Sequence, residues 1–256
     1  MNNSLLQSLF CGRNHRHFQT IDSTNSELKR LLADEKLPEG TLITCEVQNA
    51  GRGYTGNTWS SERGQNIMMS LLLQPTFLQV RFQFYLNQVV SLAIYDALEK
   101  WLDKEKMKIK WPNDIMYKDK KMCGILIENT IQGSLIQHSI IGIGLNVNET
   151  GWKKKNLKHA TSLKQILKKE IDTTKLIYRI CEHIESRYLQ LKTNKLEMLQ
   201  QDYMSRMFRV EKKHYYEING KKIKAKITGL TPEGKLIVDT QQGVNVFDFK
   251  EIVFIL

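Results

Sequence analysis

Residues 46–73 read EVQNAGRGYTGNTWSSERGQNIMMSLLL. The apolar runs on either side, Thr41–Val47 and Ile67–Leu73, have the composition of short strands. Between them the chain is polar and rich in glycine, far longer than a hairpin needs, and connections of that length inside a compact domain tend to carry function. Gly51, Gly53 and Gly56 are expected to take positive φ and bring backbone close to a ligand. Arg52 sits between two of them with a planar fork suited to carboxylate or phosphate oxygens. Trp59 offers a flat face on which a heterocycle can stack. The stretch therefore reads as a loop that closes over an anionic, nucleotide-like ligand, held by two buried strands.

Gly51-Arg-Gly-Tyr-Thr-Gly56 also fits the dinucleotide pattern G-x-G-x-x-G, but that fingerprint requires a helix directly after the glycines and an acidic residue about 20 positions on. Asn57–Asn66 has no helical period, and Gln74–Thr76 supplies no acid. No P-loop, H-E-x-x-H, Cys/His cluster or G-x-S-x-G elbow occurs, which removes the common phosphate, zinc and serine-nucleophile solutions. His15 and His17 read as an isolated surface pair.

Working outward, Thr24 with Glu27 forms a capping-box pattern at the start of a helix whose stripe is Leu28, Leu31 and Leu32. From Phe82 to Leu102 the apolar residues recur at helical spacing along one broad face, giving a long helix packed on a sheet. Lys108–Trp111 reads as a strand ended by the turn trio Pro112-Asn-Asp114. Ile115–Tyr117, Gly124–Glu128 and Ser139–Leu145 follow as strands, with a charged hairpin tip at Lys118–Lys121. Gly142 and Gly144 permit close packing or close ligand approach. Turns, not crossover helices, join these strands, so the class is α+β, with a mixed or antiparallel sheet and helices on one face. Trp152–Lys158 reads as a solvated lysine-rich loop, Thr173–Leu191 as an amphipathic helix, and Asn194–Met204 as a shorter one. Past Met207 close-spaced strands with hairpin signals at Asn219-Gly220 and Pro232-Glu-Gly234 imply a small β-barrel. The expected division is a catalytic unit over 1–205 and the terminal barrel over 206–256.

Composition bounds the rest. A chain of 256 residues suits one large domain or a large and a small one, and its formal net charge of +11 favours an acidic partner. Four scattered cysteines without a C-x-x-C pair suit reduced core thiols and a cytoplasmic protein. No apolar run spans a membrane, and no signal peptide is read at the start.

Five segments taken in order carry a family resemblance: Asp22-Ser-Thr-Asn25; Gln48-Asn-Ala-Gly-Arg-Gly53 with Gly56, Trp59 and Ser60; Lys110-Trp-Pro-Asn-Asp114; Lys121–Glu128; and Ile141–Asn148. The sequence resembles the biotin–protein ligases (biotin–[acetyl-CoA-carboxylase] ligases). Only about 20 residues precede Asp22, so it looks like the monofunctional type, without the DNA-binding repressor domain. The resemblance implies a class II aminoacyl-tRNA synthetase-like catalytic domain with an SH3-like β-barrel after it. It implies that ATP and biotin are joined to biotinoyl-adenylate, with Mg2+ on the phosphates, and that biotin then passes to one lysine of a biotin carboxyl carrier domain. DNA and membrane are not expected as partners; relatives can pair into a homodimer through a sheet edge.

By the same resemblance Ser23, Thr24 and Gln48 match positions that hold the ureido ring, which needs both donors and acceptors. Asn25, Gly51 and Gly124 fall at the biotin site. Arg52 matches the loop arginine that gathers carboxylate and α-phosphate, and Lys121 the lysine at the same reacting oxygens, with Lys110 near the phosphates. Trp59 matches the aromatic over the adenine; Gly53, Tyr54, Asn57, Asn113 and Asn146 fall on the nucleotide side. Asp114 is the expected carboxylate for the incoming ammonium, catalytic together with Arg52, Lys121 and Lys110. Many relatives carry arginine where this chain has Tyr54, which predicts a leakier adenylate here. A lipoate–protein ligase is the nearest rival and would not need the ureido-binding polar set. A nucleic-acid-binding module would rest on charge and barrel alone, without paired stacking aromatics.

Overall fold

The computed structural model describes residues 7–53, 56–152 and 157–255. The chain runs β1 (His15–Ile21), α1 (Thr24–Asp34), β2 (Leu42–Gln48), β3 (Ile67–Leu73), α2 (Phe84–Leu98), β4 (Met107–Lys110), β5 (Asp114–Tyr117), β6 (Lys120–Gln132) and β7 (Leu135–Leu145). It continues with α3 (Leu163–Leu167), α4 (Thr173–Lys192), α5 (Leu196–Ser205), β8 (Lys213–Ile218), β9 (Lys221–Leu230), β10 (Leu236–Thr240), β11 (Gly243–Phe247) and β12 (Ile252–Phe254). The first seven strands form one sheet in the order β1-β2-β3-β7-β6-β5-β4, and the last five form a second in the order β11-β10-β9-β8-β12. In the first, only β1 and β2 pair in parallel; every other pairing is antiparallel. The fold is thus α+β with a mixed sheet, and the C-terminal antiparallel sheet is consistent with an SH3-like unit.

The strand period of two sorts the side chains of the large sheet onto two faces. Leu42, Met69, Leu71 and Ile141 point into the main core beneath α2 and α4, whereas Ile43, Leu72 and Ile140 form a smaller cluster with Leu28 of α1. Helices therefore lie on both faces, not on one as expected: α1 packs on β2, β3 and β7 from the other side. A single short helix covers only part of that face, and the exposed remainder is where a ligand can lie.

Helix α2 departs from its reading as well. Its apolar residues are not confined to one stripe: only Asn87 and Asp96 escape full burial, because the helix is enclosed by sheet, α4 and α5. Thr24 and Glu27 do not form a capping box. Ser23 takes the N-cap position without a side-chain cap bond. Glu27 turns to Arg30, and the Thr24 hydroxyl is used by Gln48 and Ser70. β1 was not expected at all, since an edge strand half open to solvent shows no clean alternation.

The C-terminal sheet is docked on the turn between β4 and β5. Trp111 stacks on Phe249 with centroids 5.0 Å apart, and its indole N–H donates to the Gly234 carbonyl at 2.9 Å. Tyr203 of α5 donates to the Pro112 carbonyl at 3.1 Å. A Cβ on Gly234 would meet the Phe84 ring at 2.0 Å, so glycine is what lets this hairpin close on α2. Asn219 and Gly220 both have positive φ, as the hairpin signal required. No described helix is long and apolar enough to cross a membrane.

Candidate active site

Register builds the floor of the site. Across the sheet, Ser70 of β3 lies opposite Gly142 of β7, and Gly142 lies opposite Leu126 of β6. One step along, Met68, Gly144, Gly124, Asp114 and Lys110 make a second row through five strands. Small residues at Ser70, Gly124, Gly142 and Gly144 thus coincide on the face that α1 leaves open, and they form a trench. Two side chains fill its edges. A Cβ on Gly142 would meet Asn25 Oδ1 at 2.4 Å, and one on Gly144 would meet the Trp59 ring at 2.4 Å. The glycines here answer to close approach; of Gly51, Gly53 and Gly56 just Gly56 has positive φ, and Gly51 is needed because a Cβ would meet the Trp59 carbonyl at 2.3 Å.

A cavity of about 230 Å³ stands on this floor, lined among others by Ser23, Thr24, Gln48, Arg52, Asn113 and Lys121. At one end the Gln48 side-chain oxygen Oε1 accepts from Thr24 N–H at 2.8 Å and from its hydroxyl at 3.2 Å. The Ser70 hydroxyl donates to Asn25 Oδ1 at 2.5 Å, and Asn25 Nδ2 donates to Glu128 at 2.7 Å. Arg52 reaches across from the loop and meets both Glu128 oxygens, at 2.9 and 3.2 Å. With side chains 44% and 31% exposed, that pair stabilises the fold by at most about 1 kcal/mol, so the guanidinium is held in place at little energetic depth.

At the other end Lys121 Nζ lies 2.7 Å from Asp114 Oδ1. A second cavity, of about 370 Å³, begins there and includes Lys110, Asn146, Trp152, His159 and Ala160 in its wall. The two cavities share Thr58, Trp59, Asp114 and Lys121. Lys110 is directed over the Phe254 ring, 5.4 Å from its centroid; burial, with Lys121 and Arg209 nearby, pulls its ammonium below the ordinary lysine range while Asp114 opposes the shift. The buried indole N–H groups of Trp59 and Trp152 have no partner among the described residues, so the second cavity offers flat apolar walls with unused donors. Two adjoining compartments with cations at their junction suit two anionic reactants, whose repulsion must be cancelled before they can meet.

Residues 17–146 match the biotin/lipoate A/B protein ligase family. The bifunctional ligase/repressor BirA of Bacillus spizizenii is 31% identical over 233 residues, which is 90% of this chain and 71% of that one. The chain belongs to this ligase family. The biotin–[acetyl-CoA-carboxylase] ligase of Mycobacterium tuberculosis is 25% identical over 85% of this chain and 80% of its own length. Among solved structures, the biotin protein ligase of Aquifex aeolicus in complex with biotin and ATP superposes with a TM-score of 0.77 at 26% identity, covering 94% of this chain and 97% of that one.

In this member of the ligase family the residues singled out from sequence are divided between the compartments. Ser23, Thr24, Asn25, Gln48, Arg52, Gly53, Asn57, Trp59, Asn113, Asp114, Lys121 and Gly124 all line the first cavity. Lys110 and Asn146 lie in the second. Gly51 is buried at the loop's base, where its carbonyl accepts from Trp59 N–H at 2.9 Å. Two asparagines also brace backbone: Asn113 Nδ2 donates to the Ile125 carbonyl at 2.7 Å and Asn146 Nδ2 to the Thr161 carbonyl at 3.0 Å. Tyr54, and with it the expectation of a leakier adenylate, lies outside the described residues. So do four residues, 153–156, of the stretch read as a solvated loop; its first member, Trp152, is buried.

Sequence reasoning passed over Ser70, whose signal was a lone hydroxyl in the run Ile67-Met-Met-Ser-Leu-Leu-Leu73, and Glu128, the acid at the end of an apolar strand. His15 is half-buried on the edge strand, and its neighbour His17 is exposed. The His15 Nε2 lies 2.7 Å from Thr44 Oγ1, and burial, with His17 adding to it, holds its pKa down at about 4. Among the described residues no group of three or more His, Cys, Asp or Glu is placed to hold a metal ion. All four cysteines are buried and free, and burial pushes the Cys45 thiol up to about 12, as befits core thiols and not nucleophiles.

Proposed function

We infer that this chain is an ATP-dependent biotin–protein ligase, acting on biotin carboxyl carrier proteins of carboxylases. The observation that carries the reading is the junction of two cavities at Trp59, Asp114 and Lys121, with Arg52 in the wall of the first. In the first step a biotin carboxylate oxygen attacks the α-phosphorus of ATP. The bond from that phosphorus to the bridging β-oxygen breaks, and pyrophosphate leaves. In the second the amine of the carrier lysine attacks the acyl carbon, AMP departs, and the amine loses a proton. Arg52 and Lys121 are proposed to receive the negative charge that accumulates as carboxylate and phosphate converge. The polar set of Thr24, Gln48, Asn25 and Ser70 supports a ureido ring at the far end, because a ring with one carbonyl and two N–H groups satisfies such partners and a dithiolane does not.

Magnesium binds nucleotide phosphates with one or two protein carboxylates at most. Asp114, the carboxylate at the junction, is already paired with Lys121 at 2.7 Å, so the ion would arrive on the nucleotide phosphates and supply charge neutralisation there. The proposed organisation is a ligase unit to residue 205 and a C-terminal unit from residue 206, working in the cytoplasm and able to pair through a sheet edge.

Incubation with biotin, ATP, magnesium and a biotin carboxyl carrier domain should raise the carrier's mass by one biotinyl group, and lipoate should not substitute. Failure to exchange labelled pyrophosphate into ATP when biotin is present would overturn the assignment.

A further inference from the structure

The terminal edge of the Arg52 guanidinium has a carboxylate partner in the structure and would meet a second one in the proposed chemistry. Its terminal nitrogens are engaged bidentately by Glu128, and the proposed chemistry requires the same cation for the carboxylate of the substrate. Glu128 is set on the cavity side of β6, in the same period-two series as Gly124 and Leu126. Its Oε2 is held from behind by Asn25 Nδ2 at 2.7 Å, which fixes the acid where the loop arginine can reach it. Bidentate pairing uses parallel N–H groups along one edge of the guanidinium, so a second carboxylate at that edge must displace the first.

We propose that Glu128 is a positioning residue that competes with the substrate's carboxylate for Arg52, and so sets how tightly the acid, as distinct from the rest of the ligand, is bound. The inference rests on the reading of the chain as a biotin ligase. Asn25 in turn accepts from Ser70 at 2.5 Å, which keeps its amide turned toward Glu128. An exposed pair of this kind is weak, which is what a displaceable partner requires.

The test compares biotin with biotin amide, whose ring system is the same but whose tail is neutral, by titration calorimetry on the full chain. Glu128→Gln should bind biotin about three- to fivefold more tightly than the unsubstituted chain, while affinity for the amide stays constant. Glu128→Asp, which keeps the charge on a shorter arm, should fall between them. The gain should vanish in an Arg52→Gln background, where there is no cation to compete for. Equal tightening of acid and amide, weakening of both, or a gain that persists without Arg52 would each overturn the proposal. If the unsubstituted chain binds neither biotin nor its amide, the ligase reading fails, and the competition with it.

Discussion

Lys121 Nζ is 2.7 Å from Asp114 Oδ1, joining the two groups that stand where the cavities meet. A carboxylate in this place can steady the ammonium during adenylation and accept a proton from the incoming lysine during transfer, since that lysine is unreactive while charged near neutral pH. Asp114→Asn should therefore slow transfer from preformed biotinoyl-adenylate about 100-fold while adenylation falls less. Single-turnover assays of the two half-reactions separate the effects, and equal losses in both would remove Asp114 as the proton acceptor.

Gly142 and Gly144 hold different neighbours, so alanine at each should damage different substrates. Gly144→Ala drives a methyl into the Trp59 ring and should weaken ATP binding about 10-fold with biotin affinity retained. Gly142→Ala displaces Asn25 and should weaken biotin by a similar factor. Calorimetry with each ligand on each variant would show whether the losses cross over as stated.

Lys110 is half-buried beside Phe254, where desolvation disfavours its ammonium and Asp114 opposes that cost. Lys110→Met removes that cost, so the melting temperature should hold or rise while KM for ATP increases about 10-fold. A fall in melting temperature together with unchanged KM would assign Lys110 to the fold and not to the phosphates.

His15 gives stability a pH dependence of definite sign. Its pKa drops from 6.5 to about 4 on folding, so between those values the unfolded chain binds more protons. Its contribution is complete above pH 6.5 and is lost as pH falls through the folded value. With the group only partly shielded, the effect is on the order of 1 kcal/mol. Thermal melts from pH 7 to 4 should fall less steeply for His15→Asn than for the unsubstituted chain.

A net charge of +11 should steer an acidic carrier, so the second-order rate of biotin transfer should decline as ionic strength rises. The adenylation rate at saturating substrate serves as the control; a flat transfer rate across the salt series would eliminate steering.

What the sequence determined on its own was local. β2 and β3 around the glycine loop, the Asn219-Gly220 hairpin and helix α4 follow from side-chain period, turn residues and propensity, all of which act within a few positions. The motif residues were legible for the same reason, because their order and spacing survive without knowledge of the fold. Tertiary structure decided everything that depends on which strand lies beside which. Register places Ser70 next to Gly142 and Gly144 next to Gly124, and so turns scattered small residues into a trench. The same pairing put α1 on the face opposite α2, withdrew Thr24 from its capping box, and brought Glu128 to Arg52 across a separation of 76 residues. Contacts at such distances leave no periodic trace in the chain, since each partner satisfies its own local rules whether or not the other is present.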